Sequence, residues 1–141
     1  MTGMDVCTYC SFLKRVSKMN MRKKVGILHC RKVTDICAGA KCMNAFSDKT
    51  DFFARYADEE IVLGAYFSCN GCKTDNPLEP DKDDGMLEKL ERLVKEEIKT
   101  VHVGICRNSG EIKGKECYRI TCIIDSIEQK GIEVIRGTHH E

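Results

Sequence analysis

Apolar residues gather in four short runs separated by charged stretches. Each run is rich in Val, Ile or aromatic residues and is bounded by glycine or charge, the pattern of β-strands. The runs are KVGILHC (24–30), EIVLGAYFSC (60–69), TVHVGIC (100–106) and GIEVIRGTHH (131–140). They are nearly continuous rather than alternating, which suits strands covered on both faces in a parallel sheet.

Helical spacing fills the gaps. Residues 43–57, MNAFSDKTDFFARYA, predict a loosely periodic helix. The segment 83–100 is clearer: Asp83 or Asp84 can cap it, and Met86, Leu87, Leu90, Leu93, Val94 and Ile98 form one apolar stripe. Glu88 with Arg92 and Glu91 with Lys95 add favourable (i, i+4) pairs. In 118–131, Ile120, Ile123, Ile124 and Ile127 repeat the helical spacing, and Gly131 is a natural stop. The order β-α-β-α-β-α-β calls for right-handed crossovers. The expected fold is a small α/β three-layer sandwich of Rossmann or flavodoxin type, an open parallel four-stranded sheet with helices on both faces.

A chain of 141 residues is one domain's worth and can bury a core without covalent staples. Residues 24–141 are expected to form that domain. Residues 1–23 form an N-terminal extension that carries Cys7-x-x-Cys10. The segment 70–84, NGCKTDNPLEPDKDD, holds both prolines and reads as a long acidic loop.

Charge narrows the function. With 23 Lys and Arg against 22 Asp and Glu, there is no electrostatic footprint for nucleic acid or an anionic membrane. No stretch approaches the roughly 18 apolar residues that span a bilayer. The first twenty residues lack an apolar run with a cleavage site, so a cytoplasmic location is expected. No Walker loop, dinucleotide fingerprint or nucleophile triad appears, and no catalytic residue is assigned.

Ten cysteines then become the outlier. In a reducing compartment, thiols at this density point to metal or redox chemistry rather than disulfide bridges. Three predicted strands end in cysteine, at Cys30, Cys69 and Cys106, and the fourth ends in GTHH. Strand C-termini of an open parallel sheet share one rim, where ligands bind. Neighbouring strands lie about 4.8 Å apart. The loops leaving that rim add Cys37, Cys42, Cys72 and Cys117, and His139 follows the last strand. Cys69-Asn-Gly-Cys72 reads as a chelating turn in which Gly71 supplies a positive φ. A thioredoxin-type pair opens a helix, whereas KTDNPLEP follows Cys72. His29 is aimed to the opposite face from Cys30 and His102 sits mid-strand, so both read as structural. Cys122 lies beside Ile123 and reads as packing.

The stretch from about Lys24 to His140 resembles the CGGC-domain family, small prokaryotic proteins named for a central Cys-Gly-Gly-Cys. The resemblance rests on VGILHC, CAGAKC, YFSCNGC, the strand ending in GIC, Cys117 and the terminal GTHH. Asn70 stands for the first glycine of the namesake motif, Ala38 for a usual proline, and CYRITC for a Cys-Pro-His-like stretch. The resemblance implies a metal-binding role. Carried over by position, it names Cys30, Cys37, Cys42, Cys69, Cys72, Cys106, Cys117 and His139 as the ligand candidates.

Seven thiols exceed the four that one tetrahedral zinc needs. The excess leaves an iron–sulfur cluster or a zinc ion, with redox or sulfur handling, as one reading. The partners would then be the metal or cluster and a small sulfur-containing substrate or a redox protein. The alternative is a metal-free thiol or persulfide oxidoreductase in which Cys69 and Cys72 cycle.

Overall fold

The computed structural model describes residues 22–72 and 76–140. Its four strands are β1 (Lys23–His29), β2 (Ile61–Ser68), β3 (Thr100–Val103) and β4 (Glu133–Ile135). They form one parallel sheet in the order β2-β1-β3-β4. Three helices connect them: α1 (Ala40–Asp48), α2 (Asp84–Lys95) and α3 (Tyr118–Gln129). The expected open parallel α/β fold is the fold observed. Among the described residues no helix is long and apolar enough to cross a membrane.

The alternation of β1 divides the core. Val25 and Ile27 pack with Cys42, Ala45, Phe53 and Tyr56 on the α1 side. Leu28 lies on the other side with the helices α2 and α3. There Ile120, Ile123, Ile124 and Ile127, all four residues of the predicted stripe, are buried. The α2 stripe is narrower than its spacing suggests: Met86, Leu90 and Leu93 are buried, but Leu87 and Val94 stay exposed. Asp83 caps α2 by accepting from the Met86 N–H at 3.2 Å. Gly131, at φ 82°, follows the last turn of α3.

Three boundaries moved. The predicted 43–57 helix breaks where Lys49 and Asp51 take positive φ, and continues as a 3-10 segment Asp51–Tyr56. The break turns Phe53 and Tyr56 into the core. The third strand stops at Val103, so Cys106 lies in a 3-10 turn, Ile105–Asn108, rather than on the strand. The fourth strand covers three residues, and the GTHH segment runs on as irregular chain. The backbone of that segment is strapped to the Asp51–Tyr56 turn, with the Phe52 N–H donating to Thr138 O at 3.3 Å.

β2 lies at the edge, and none of its eight residues is buried. Its apolar run therefore reflects contact with β1 and the flanking helices, not cover on both faces. β1 and β3 are neighbours although their connections leave to opposite sides. The crevice beyond their C-termini is the topological switch point, where open α/β sheets place ligands.

Candidate functional site

Cys30 is the first residue after β1 and is buried. Its backbone N–H donates to the Cys106 sulfur at 3.1 Å, which joins the ends of the two central strands across the switch point. Burial pushes both thiols up from the ordinary range. N–H donors near Cys30 oppose this, while neighbouring sulfurs reinforce it at both sites.

The candidates on the α1 side share a wall. Cys37, Cys42, Cys106 and His139 line one cleft of about 620 Å³. Cys37 is exposed on the turn before α1, and the Gly39 N–H points at its sulfur at 3.4 Å. Gly39 begins α1 at φ 74°, and a methyl group there would collide with the Tyr66 hydroxyl. Glycine is therefore needed twice over, for conformation and for the approach of Tyr66. Cys42 is buried on α1, its sulfur 3.1 Å from the Thr138 hydroxyl. Burial raises its thiol, the Thr138 contact opposes this, and Cys37 adds to the rise. His139 is half-buried, with Nδ1 2.9 Å from the carbonyl of His140.

A buried relay holds this wall in place. His102 is fully buried, with Nδ1 2.7 Å from Gly137 O and Nε2 2.8 Å from the Tyr56 hydroxyl. A carbonyl only accepts, so Nδ1 carries the proton and Nε2 accepts from Tyr56. Burial lowers the pKa of this imidazole to about 4, so it stays neutral. The relay fixes Gly137, whose α-carbon sits so close to the Phe52 ring that a methyl group would reach within 2.5 Å of it. Thr138 is thereby presented to Cys42. His29 also reads as expected: it stacks on Tyr66 with ring centroids 4.5 Å apart.

The remaining candidates lie toward α2 and α3. Cys69 directly follows β2 and is buried. Cys72 is exposed, and it is Cys72 rather than Gly71 that holds the left-handed conformation, at φ 69°. Gly71 provides space instead. A methyl group there would stand 2.8 Å from Cδ of Arg119. Asn70 has its own task, accepting from the Lys89 ammonium at 2.7 Å while Lys89 also donates to Ser68 O at 2.7 Å. Cys117 stands at the N-terminus of α3, and its N–H donates to Arg107 O at 2.8 Å. Cys72 and Cys117 line a second cleft of about 470 Å³. Partial desolvation, then Cys69 and Cys117, push the Cys72 thiol up, while Arg119 and Lys32 pull it down.

The eight candidates thus fall into two sets of four, joined by the Cys30–Cys106 contact. Cys37, Cys42, Cys106 and His139 share the first cleft; on the other side Cys30 lies near Cys69 and Cys72, and Cys72 lies near Cys69 and Cys117. Among the described residues, no three His, Cys, Asp or Glu side chains converge closely enough to hold a metal ion. Cys122 is half-buried on α3, near Asp81. Cys7 and Cys10 lie outside the described residues.

Local sequence gave no sign of Tyr66 or Arg119. Both matter through contacts with glycines far away in the chain, Gly39 and Gly71. Within the predicted 70–84 loop, residues 77–80 are anchored. Arg119 donates to Leu78 O at 2.8 Å and to Pro77 O at 3.4 Å, and Pro80 is buried.

Compared with known proteins, residues 24–139 match the model of the CGGC domain. No curated protein and no solved structure matches the chain.

Proposed function

The chain belongs to the CGGC-domain family, and on that premise we propose that it binds a thiophilic metal at the rim cleft lined by Cys37, Cys42, Cys106 and His139. One observation carries this reading: four of the eight candidates, from three separate stretches of the chain, line a single cleft at the switch point. Three thiols and an imidazole are the donor set of a tetrahedral zinc site. The donors line the cleft without converging, so loading requires movement. Cys37, on an exposed turn, and the half-buried His139 side chain are the two that would turn inward. Cys42 and Cys106 are held by Thr138 and by the Cys30 N–H.

The chain's own residues then have separate tasks. Thr138 orients the Cys42 sulfur, and the His102–Gly137 contact positions Thr138. Tyr66 packs against Gly39, which lines the cleft. A bound ion would supply the positive charge that lets neighbouring thiols lose their protons together.

The oxidoreductase alternative with Cys69 and Cys72 as the couple finds less support. Cys69 is only 3% exposed, which keeps one member of that couple from an incoming substrate.

Anaerobic purification followed by metal and sulfide analysis tests the reading. About one zinc per chain, reduced in Cys106→Ser and in His139→Ala, is the expected result. Iron with acid-labile sulfide and a brown colour would keep the rim as a metal site but identify a cluster. A metal-free protein that takes up no zinc or iron in titration would overturn the proposal.

A further inference from the structure

The second cleft carries chemistry that a metal in the first does not use. Its wall holds two thiols, Cys72 and Cys117, with Lys32, Lys115 and Arg119 around them. Among the described residues, two carboxylates also line it. Glu116 is committed to Arg136 at 2.6 Å and to Arg107 at 3.8 Å, which leaves Glu111 against three cations. Arg119 is locked in place: Leu78 O and Pro77 O hold its guanidinium, and its stem lies on Gly71, next to Cys72. The exposed Cys72 has the left-handed backbone that non-glycine residues rarely adopt, and such outliers concentrate at working sites.

We propose that this cleft binds a small anionic disulfide and that Cys72 and Cys117 reduce it. The cations select carboxylate-bearing molecules. The exposed Cys72 sulfur is the one that an incoming disulfide meets. Cys69, next in sequence to the same turn, is buried and does not line the cleft, so Cys117 is the second thiol.

The chemistry balances within the two thiols and the substrate. Cys72 gives up its proton to water, and its sulfur attacks one sulfur of the substrate. The substrate S–S bond breaks, and the leaving sulfur departs with the electron pair and takes up a proton. Cys117 likewise loses its proton and attacks the Cys72 sulfur of the mixed disulfide. The second substrate thiolate is expelled and protonated, and a Cys72–Cys117 disulfide remains. Two electrons pass from the two cysteines to the substrate, which leaves as two thiols.

Two disulfides of opposite charge test the idea on the reduced, full-length protein. Glutathione disulfide is the anionic probe and cystamine the cationic one, with products mapped by mass spectrometry. The expected result is reaction about tenfold faster with glutathione disulfide, ending in a Cys72–Cys117 bridge. Cys117→Ser should instead accumulate glutathione on Cys72. Lys32→Glu combined with Lys115→Glu should reverse the preference between probes. Equal or faster reaction with cystamine would overturn the proposal, as would glutathione on Cys37 with Cys72 left free. The comparison of probes on the unmodified chain does not depend on any variant folding.

Discussion

The backbone N–H of Cys30 and the sulfur of Cys106 meet at 3.1 Å, although 76 residues separate them in the chain. The contact joins the segment after β1 to the segment after β3, the two ends that flank the switch point. It also links the two halves of the cysteine rim. Cys106→Ala removes the acceptor and should cost about 1 kcal/mol, read as a lower urea midpoint. Cys106→Ser keeps an acceptor and should lose less. Equal losses would show that the contact contributes nothing beyond the volume of the sulfur.

Gly39 and Tyr66 form a second long-range pair. Gly39→Ala forces a side chain into the left-handed region, at about 1–2 kcal/mol, and adds the clash with the Tyr66 hydroxyl. Tyr66→Phe removes the clashing oxygen. The double variant should therefore be more stable than Gly39→Ala alone while staying below the parent. Strict additivity in a double-mutant cycle would refute the pairing.

Stability should fall on mild acidification because of His102. Its folded pKa is about 4 against an ordinary value of 6.5. Between those values the unfolded chain binds a proton that the folded chain does not, so unfolding is favoured as pH drops from 6.5 toward 4. The full effect is about 3 kcal/mol. Burial lowers His29 as well, which acts in the same direction. Urea midpoints measured across this window should slope for the parent and flatten for His102→Gln. An unchanged slope in the variant would show that another group is responsible.

Glu116 acts lower on the pH scale. Burial pulls its carboxyl up, but the hydrogen bonds from Arg136 and Thr121 and the charge of Arg107 hold it below its ordinary value of 4.5. A carboxyl with a depressed pKa stabilises the fold above its unfolded value, and the contribution disappears as pH falls through the folded one. Glu116→Gln should cost about 2 kcal/mol at neutral pH. The gap to the parent should close in acid, below the ordinary carboxyl range. A gap that persists there would mean that Glu116 acts by packing.

Periodicity alone determined the element order, the parallel sheet and the buried stripe of α3, because side-chain spacing and short-range capping are local properties. That three strands end at or near a cysteine was also legible, because strand ends are marked by local sequence. Only the tertiary structure decided how those thiols divide. Cys37, Cys42 and Cys106 share a cleft with His139 on the α1 side, and Cys72 shares one with Cys117 and Arg119 on the other. The tasks of Gly39 and Gly71 were decided there as well. Each makes room for a side chain from another segment, and such a contact depends on how helices and loops pack over the sheet, which no local pattern encodes.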